Sequence, residues 1–345
     1  MTDLKRRKFI RNSALAGIGM GVMSGLRPLY AAEKRVSDMV IKIGIIGLDT
    51  THAIAFTKAF NSATPVAGLE GMKVVAAFPQ ASPDIALNQQ RLPGFTEQVR
   101  NMGVEIVDSI DALLAKVDVV LLESNDGRPH LAQTLPVLKA GKKIFIDKPL
   151  AASLADGMRI FEAAKKYNTP VFSASSLRFM ESAQKVAKEQ VIGAVLGADT
   201  FSPAALEKTH PDLFWYGIHG VETLFTVMGV GCQSVTRFFS PDADVVVGRW
   251  AGERIGTFRG TRKGPDDFGG RVFGEKGNMV LGPFKGYEPL LQQIAAFFRT
   301  GESPVRPEET LEILAFMEAA EESKRRNGAT VKLSEIYKRA HKQLK

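Results

Sequence analysis

The chain has 345 residues, enough for two ordinary domains, and its 45% hydrophobic and 24% charged residues are the balance of a globular protein. The formal charge of +8 is misleading: residues 1–32 hold Lys5, Arg6, Arg7, Lys8, Arg11 and Arg27 against Asp3, and the remainder carries only about +3, too little to imply nucleic acid or a membrane surface. Cys232 is the only cysteine, which excludes an internal disulfide and a thiolate metal cluster.

The first element is a leader. "KRRKFIR" is a twin-arginine basic region, Ser13 to Leu26 form a short Gly/Ala-rich apolar run, and "PLYAA" supplies small residues for cleavage near Ala32. Residues 1–32 resemble a bacterial Tat signal, whose pathway exports proteins already folded. The resemblance implies Tat machinery as a partner and a periplasmic or extracellular location. The apolar run is too short and glycine-rich to span a bilayer comfortably.

From Val40 short apolar strands alternate with helical stretches. "VIKIGIIG", "MKVVAAF", "VEIVD", "VDVVLLES", "KKIFID" and "TPVFSAS" read as strands. Between them lie "HAIAFTKAFN", "NQQRLPGFTEQVRNMG", "SIDALLAK", "HLAQTLPVLKAG" and "LADGMRIFEAAKKYN", which read as helices. Such alternation, with nearly continuous apolar strands, predicts a doubly wound parallel sheet covered on both faces.

After Ser176 the pattern changes. "GADTFSPAA", "SVTRFFS", "ADVVVGRW", "RIGTFRGT", "GGRVFGEK" and "NMVLGP" are closely spaced strand candidates separated by Gly, Asp and Pro, the pattern of a mostly antiparallel sheet. Helices are expected over Phe214 to Met228, "YEPLLQQIAAFFRTG" and "PEETLEILAFMEAAEESKRRNG", the last with a proline start, acids in its first turn and bases at its end. The expected organisation is a leader over 1–32, an α/β Rossmann domain over 38–175 and an α+β domain with an open sheet over 176–335.

Three places carry chemistry. The first strand enters the turn Gly47-Leu48-Asp49-Thr50-Thr51-His52, where a pyrophosphate cradle would read G-x-G-x-x-G. Asp49 and His52 occupy the second and third glycine places. A side chain at the second place blocks close backbone approach, and a carboxylate there repels phosphate. Thr50 and Thr51 offer hydroxyl donors in partial compensation. "FIDKPLA" places Lys148 at the carboxyl end of a strand, where such folds bind ligands. His219, in "FWYGIHGVE", shares a helical face with Glu222 and has the intrinsic acidity of a proton shuttle. "SNDGRPH", Ser124 to His130, adds amides and small polar groups at another strand end.

In this order and spacing, "IGIIG" (43–47), "SNDGRPH" (124–130), "DKP" (147–149), "SSLRF" (175–179) and "YGIHGVE" (216–222) resemble the Gfo/Idh/MocA oxidoreductases. The resemblance runs from about Val40 to Leu333. It implies NAD or NADP as cofactor, a sugar, sugar acid or cyclitol as substrate, and a homo-oligomer built on the open sheet. By the same resemblance Lys148 and His219 are the catalytic pair, with the lysine holding substrate and the histidine exchanging its hydroxyl proton. Gly44, Gly47, Thr50, Thr51, Ser124, Asn125, His130, Lys148 and Arg178 are the expected cofactor contacts. Asp147, Asp212 and Glu222 are expected to orient substrate or the histidine, because Trp215 stands where the family's usual aspartate partner would be. No metal is assigned. Two other functions fit the degenerate loop: a redox-assisted glycosidase or lyase with tightly held NAD(P), and a non-catalytic sugar-binding protein.

Overall fold

The computed structural model describes residues 40–344, and the Tat-like leader lies outside the described residues. The first sheet has six parallel strands in the order β3-β2-β1-β4-β5-β6. They are β1 (Ile41–Ile46), β2 (Met72–Phe78), β3 (Glu105–Ile106), β4 (Val119–Leu122), β5 (Ile144–Ile146) and β6 (Val171–Ser173). Strand order reverses between β1 and β4, which opens a crevice at their carboxyl ends. Five helices connect the strands: α1 (Thr51–Phe60), α2 (Ala86–Asn101), α3 (Ile110–Leu114), α4 (His130–Lys139) and α5 (Leu154–Lys166). The sequence sets their starts. The Thr50, Ser109 and Ser153 hydroxyls accept from the amides of Ala53, Ala112 and Asp156 at 3.1–3.2 Å, each satisfying one orphan N–H of a first turn.

A short 3₁₀ turn (Ser176–Phe179) and α6 (Glu181–Ala187) lead into the second sheet. Its strands are β7 (Val195–Pro203), β8 (Cys232–Phe239), β9 (Ala243–Trp250), β10 (Ile255–Thr261), β11 (Gly269–Gly274), β12 (Gly277–Leu281) and β13 (Val331–Lys332), in the order β12-β11-β7-β10-β9-β8-β13. Every pairing is antiparallel except β7 with β10. One face is packed under α7 (Ile218–Met228) and α9 (Pro307–Arg325), while Phe201, Ile255 and Val280 stand exposed on the strands. The helix expected from Phe214 begins as a π-helical turn over Leu213–Gly217 before continuing as α7.

The chain then returns to the first sheet. Helix α8 (Glu288–Thr300) buries Leu290, Leu291, Ile294, Phe297 and Phe298 in one core with Ile43, Ile45 and Val74. It is stopped by Gly301 in the left-handed conformation. A last helix, α10 (Leu333–Leu344), packs by Ile336 and Ala340 against the other core. Residues from Val40 onward form one compact unit. None of the described helices is long and apolar enough to cross a membrane.

Candidate active site

A cleft of about 280 Å³ opens at the carboxyl ends of β1, β4 and β5, where Thr50, Thr51, His52, Asn125 and Lys148 meet Trp215, Tyr216 and His219 of the second half. Arg91 of α2 and Tyr287, just before α8, complete its rim. Lys148 and His219, distant in sequence, therefore share one cavity. A larger cavity of about 580 Å³ lies elsewhere, between α5 and the start of α9, and is lined mainly by apolar and surface side chains without convergent acid or base.

His219 is nearly fully buried, and its Nδ1 lies 2.8 Å from the Ser175 hydroxyl. That contact fixes the ring and leaves Nε2 as its free nitrogen. Burial, and then the Lys148 charge, push the imidazole well below the ordinary histidine range, so it is neutral at pH 7. Ser175 is itself held, because its amide donates to Glu222 Oε2 at 2.8 Å. Glu222 thus supports the histidine through Ser175 rather than by touching it.

Beneath the residues that line the cleft, its floor is acidic. His52 Nδ1 lies 2.8 Å from Asp147 Oδ2, and Lys148 Nζ lies 3.6 Å from the same oxygen. Burial opposes ionisation of Asp147, but the neighbouring His52 and Lys148 side chains outweigh it and hold the carboxyl below its usual range. Glu123, fully buried at the end of β4, moves the other way, raised by burial and then by the Asp147 charge. Asp49 is also buried: its Oδ1 accepts from the Asn125 amide at 3.0 Å, and burial pushes its pKa up to about 6.

The structure corrects several expected contacts. Gly44 lies inside β1, where a Cβ would meet Leu113 at 3.0 Å, so it serves sheet–helix packing. Gly47 is a turn residue with φ +88°, and a Cβ there would stand 2.4 Å from the Ser124 nitrogen. The Ser124 hydroxyl is buried and accepts from Gln133 Nε2. His130 is fully buried between the carbonyls of Ser124 and Pro149, at 2.9 and 3.0 Å, so it ties two strand-end loops together. Arg178 donates to Glu222 and Glu309 at 2.7 and 2.6 Å, which turns its charge into the core. Asp212 pairs with Arg237 and Lys324, and Asp147 holds His52 rather than His219. Sequence reasoning assigned no role to Ser175, Glu123 or Tyr287. A carboxylate closing the apolar run "VVLLE" was the one visible sign of Glu123.

Residues 41–175 match the Gfo/Idh/MocA model, described as an oxidoreductase family with an NAD-binding Rossmann fold. Over those residues the chain is similar to the Gfo/Idh/MocA oxidoreductases. Among curated proteins, inositol 2-dehydrogenase of Klebsiella pneumoniae (strain 342) is 27% identical over 163 residues, which cover 46% of this chain and 44% of that protein. Inositol 2-dehydrogenase 3 of Saccharopolyspora erythraea is 26% identical over 162 residues, covering 46% and 43%. The chain thus spans less than half the length of these curated relatives. Two solved structures from Lactobacillus casei share the fold over far more of the molecule. The scyllo-inositol dehydrogenase with NAD(H) and scyllo-inositol has a TM-score of 0.70, is 16% identical, and covers 86% of this chain and 99% of that one. The myo-inositol dehydrogenase with NAD(H) and myo-inositol has a TM-score of 0.67, is 17% identical, and covers 85% and 97%.

Proposed function

We propose that this chain is an exported NAD(P)-dependent oxidoreductase acting on a hydroxyl, or the matching ketone, of a sugar, sugar acid or cyclitol. The observation that carries this reading is the meeting of Lys148 and His219 in one cleft beside the β1–α1 turn. The fit of a dinucleotide turns on Asp49. Its carboxylate is fully buried, lies against the Asn125 amide, and is not part of the cleft wall. The repulsion it would exert on a phosphate is therefore muted, and the Thr50 and Thr51 hydroxyls with the Arg91 guanidinium remain to hold one. The residues fit the cofactor in this hydroxyl-lined form.

When bound, the nicotinamide ring supplies a hydride acceptor or donor. The chain's own groups then divide the remaining work. Lys148 hydrogen-bonds the substrate oxygen and stabilises alkoxide character on it. His219 Nε2 takes the hydroxyl proton in oxidation and returns it in reduction, with Ser175 keeping the ring in place. Trp215 and Tyr216 line the cleft with these two groups. The Tat-like leader supports export after folding, consistent with loading a nucleotide in the cytoplasm. The exposed strand face bearing Phe201, Ile255 and Val280 supports a homo-oligomer.

Trp215 makes the cofactor reading testable. It lines the cleft, whereas the other tryptophan, Trp250, is fully buried under α9. Titration with NAD(H) and NADP(H) is expected to change Trp215 fluorescence in a saturable way, and the effect is expected to disappear in Trp215→Phe. No response to any of the four nucleotides, with none released on denaturing the purified protein, would leave only the sugar-binding reading. Retained nucleotide without net reduction by added sugars would favour the redox-assisted lyase.

A further inference from the structure

We propose that His52, Glu123 and Asp147 form a binding site for one divalent transition-metal ion at the floor of the cleft. Each offers one ligand atom, these atoms lie within 4.8 Å of one another, and all three residues are buried. A cluster of that kind is often satisfied by internal hydrogen bonds, but this one is not. Both carboxylate oxygens of Glu123 lack any donor, and so do Asp147 Oδ1 and Asp49 Oδ2. Glu123 is fully buried. Burying an acceptor without a partner is strongly unfavourable, and native proteins answer such groups with a hydrogen bond, a water or an ion.

Charge points the same way. Asp49, Glu123 and Asp147 bring three carboxylates to the ends of β1, β4 and β5, and the facing cation is Lys148, 3.6 Å from Asp147. With the carboxylates ionised, two formal negative charges are left over, which is the charge of one dication. One imidazole nitrogen with two carboxylates is a donor set suited to Zn²⁺, Mn²⁺ or Fe²⁺. Ca²⁺ and Mg²⁺ prefer all-oxygen shells. Three protein ligands also leave coordination positions open, and one of the three, His52, lines the cleft.

The site arises where this chain departs from the glycine-rich turn, since His52 occupies the third glycine place. It does not depend on the proposed oxidoreductase activity, and its test uses neither nucleotide nor sugar. The purified full chain is stripped with a chelator, then equilibrated with Mn²⁺ or Zn²⁺ alone, and bound metal is counted by elemental analysis. One equivalent per chain is expected, lost in Glu123→Gln and in His52→Ala, and retained in His219→Ala. Bound Mn²⁺ should also show nitrogen coupling in its electron spin resonance, absent without His52. No uptake by the wild-type chain, or uptake that survives both Glu123→Gln and His52→Ala, would overturn the site and leave a protonated Glu123 as the occupant of the floor.

Discussion

Asp49 shows how one residue sets the character of the turn. Burial raises its carboxyl from 3.8 to about 6, so between about pH 4 and pH 6 the native state keeps a proton that the unfolded chain has lost. Stability therefore falls as pH rises through that window and remains lower above it, by roughly 3 kcal/mol. Asp49→Asn keeps an acceptor for the Asn125 amide and removes the penalty. With a chelator present, its melting temperature should exceed that of wild type at about pH 8 and match it at about pH 4; a wild-type protein more stable at pH 8 would contradict this account of the turn. The sequence made Asp49 visible as a misfit but not its direction, because whether a side chain points out at a phosphate or in at an amide depends on the β4 loop. That Lys148 and His219 stand at the cleft was legible for a different reason: each sits in a local motif, at a strand end or on a helix face. Ser175 was not legible as the histidine's partner. Its place is fixed by Glu222, which reaches it from a distant segment and is itself held by Arg178.

At the scale of elements, the parallel half could be read from sequence because its strands are buried on both faces and carry their own apolar signal. The second sheet was legible as strands, but not in its order. The parallel pairing of β7 with β10 joins segments separated by α7, β8 and β9, and no local pattern encodes it. What positions His219 is the close seat of α7 on this sheet. A Cβ at Gly220 would stand 2.3 Å from a ring carbon of Phe258 and 2.9 Å from the Ser202 hydroxyl. Gly220→Leu should lift α7 off β7 and β10 and destabilise the fold by about 1–3 kcal/mol. Chemical denaturation checks the loss, and a variant as stable as wild type would show that α7 has room to spare. The same displacement should weaken the Ser175–His219 contact.

On the scale of the whole molecule, the cleft is completed because the chain passes between its two sheets three times. Tyr287 and α8 come from the far end of the sequence, yet they pack on the first sheet, where the Arg299 guanidinium donates to the Gly68 and Glu70 carbonyls. Amphipathic periodicity predicted α8, but nothing local to it says which sheet it covers. The second sheet's outer face has the opposite character. The strand register puts Phe201, Phe238, Ile255 and Val280 on one side, all exposed. An apolar face of this kind fits a self-complementary interface. Light scattering should find a dimer or larger closed assembly, reduced to monomer by Phe201→Arg with Ile255→Arg. A wild-type monomer at micromolar concentration would contradict that assembly.

The central claim, that Lys148 and His219 act together on one polyol, is tested most directly by single-turnover kinetics. The protein is mixed with NAD⁺ or NADP⁺ and a panel of cyclitols, aldoses and sugar acids, and formation of reduced nicotinamide is followed by its near-ultraviolet absorbance. The account predicts reduction with at least one substrate, slowed by at least ~100-fold in both Lys148→Ala and His219→Ala. Near-normal rates in both variants would contradict it.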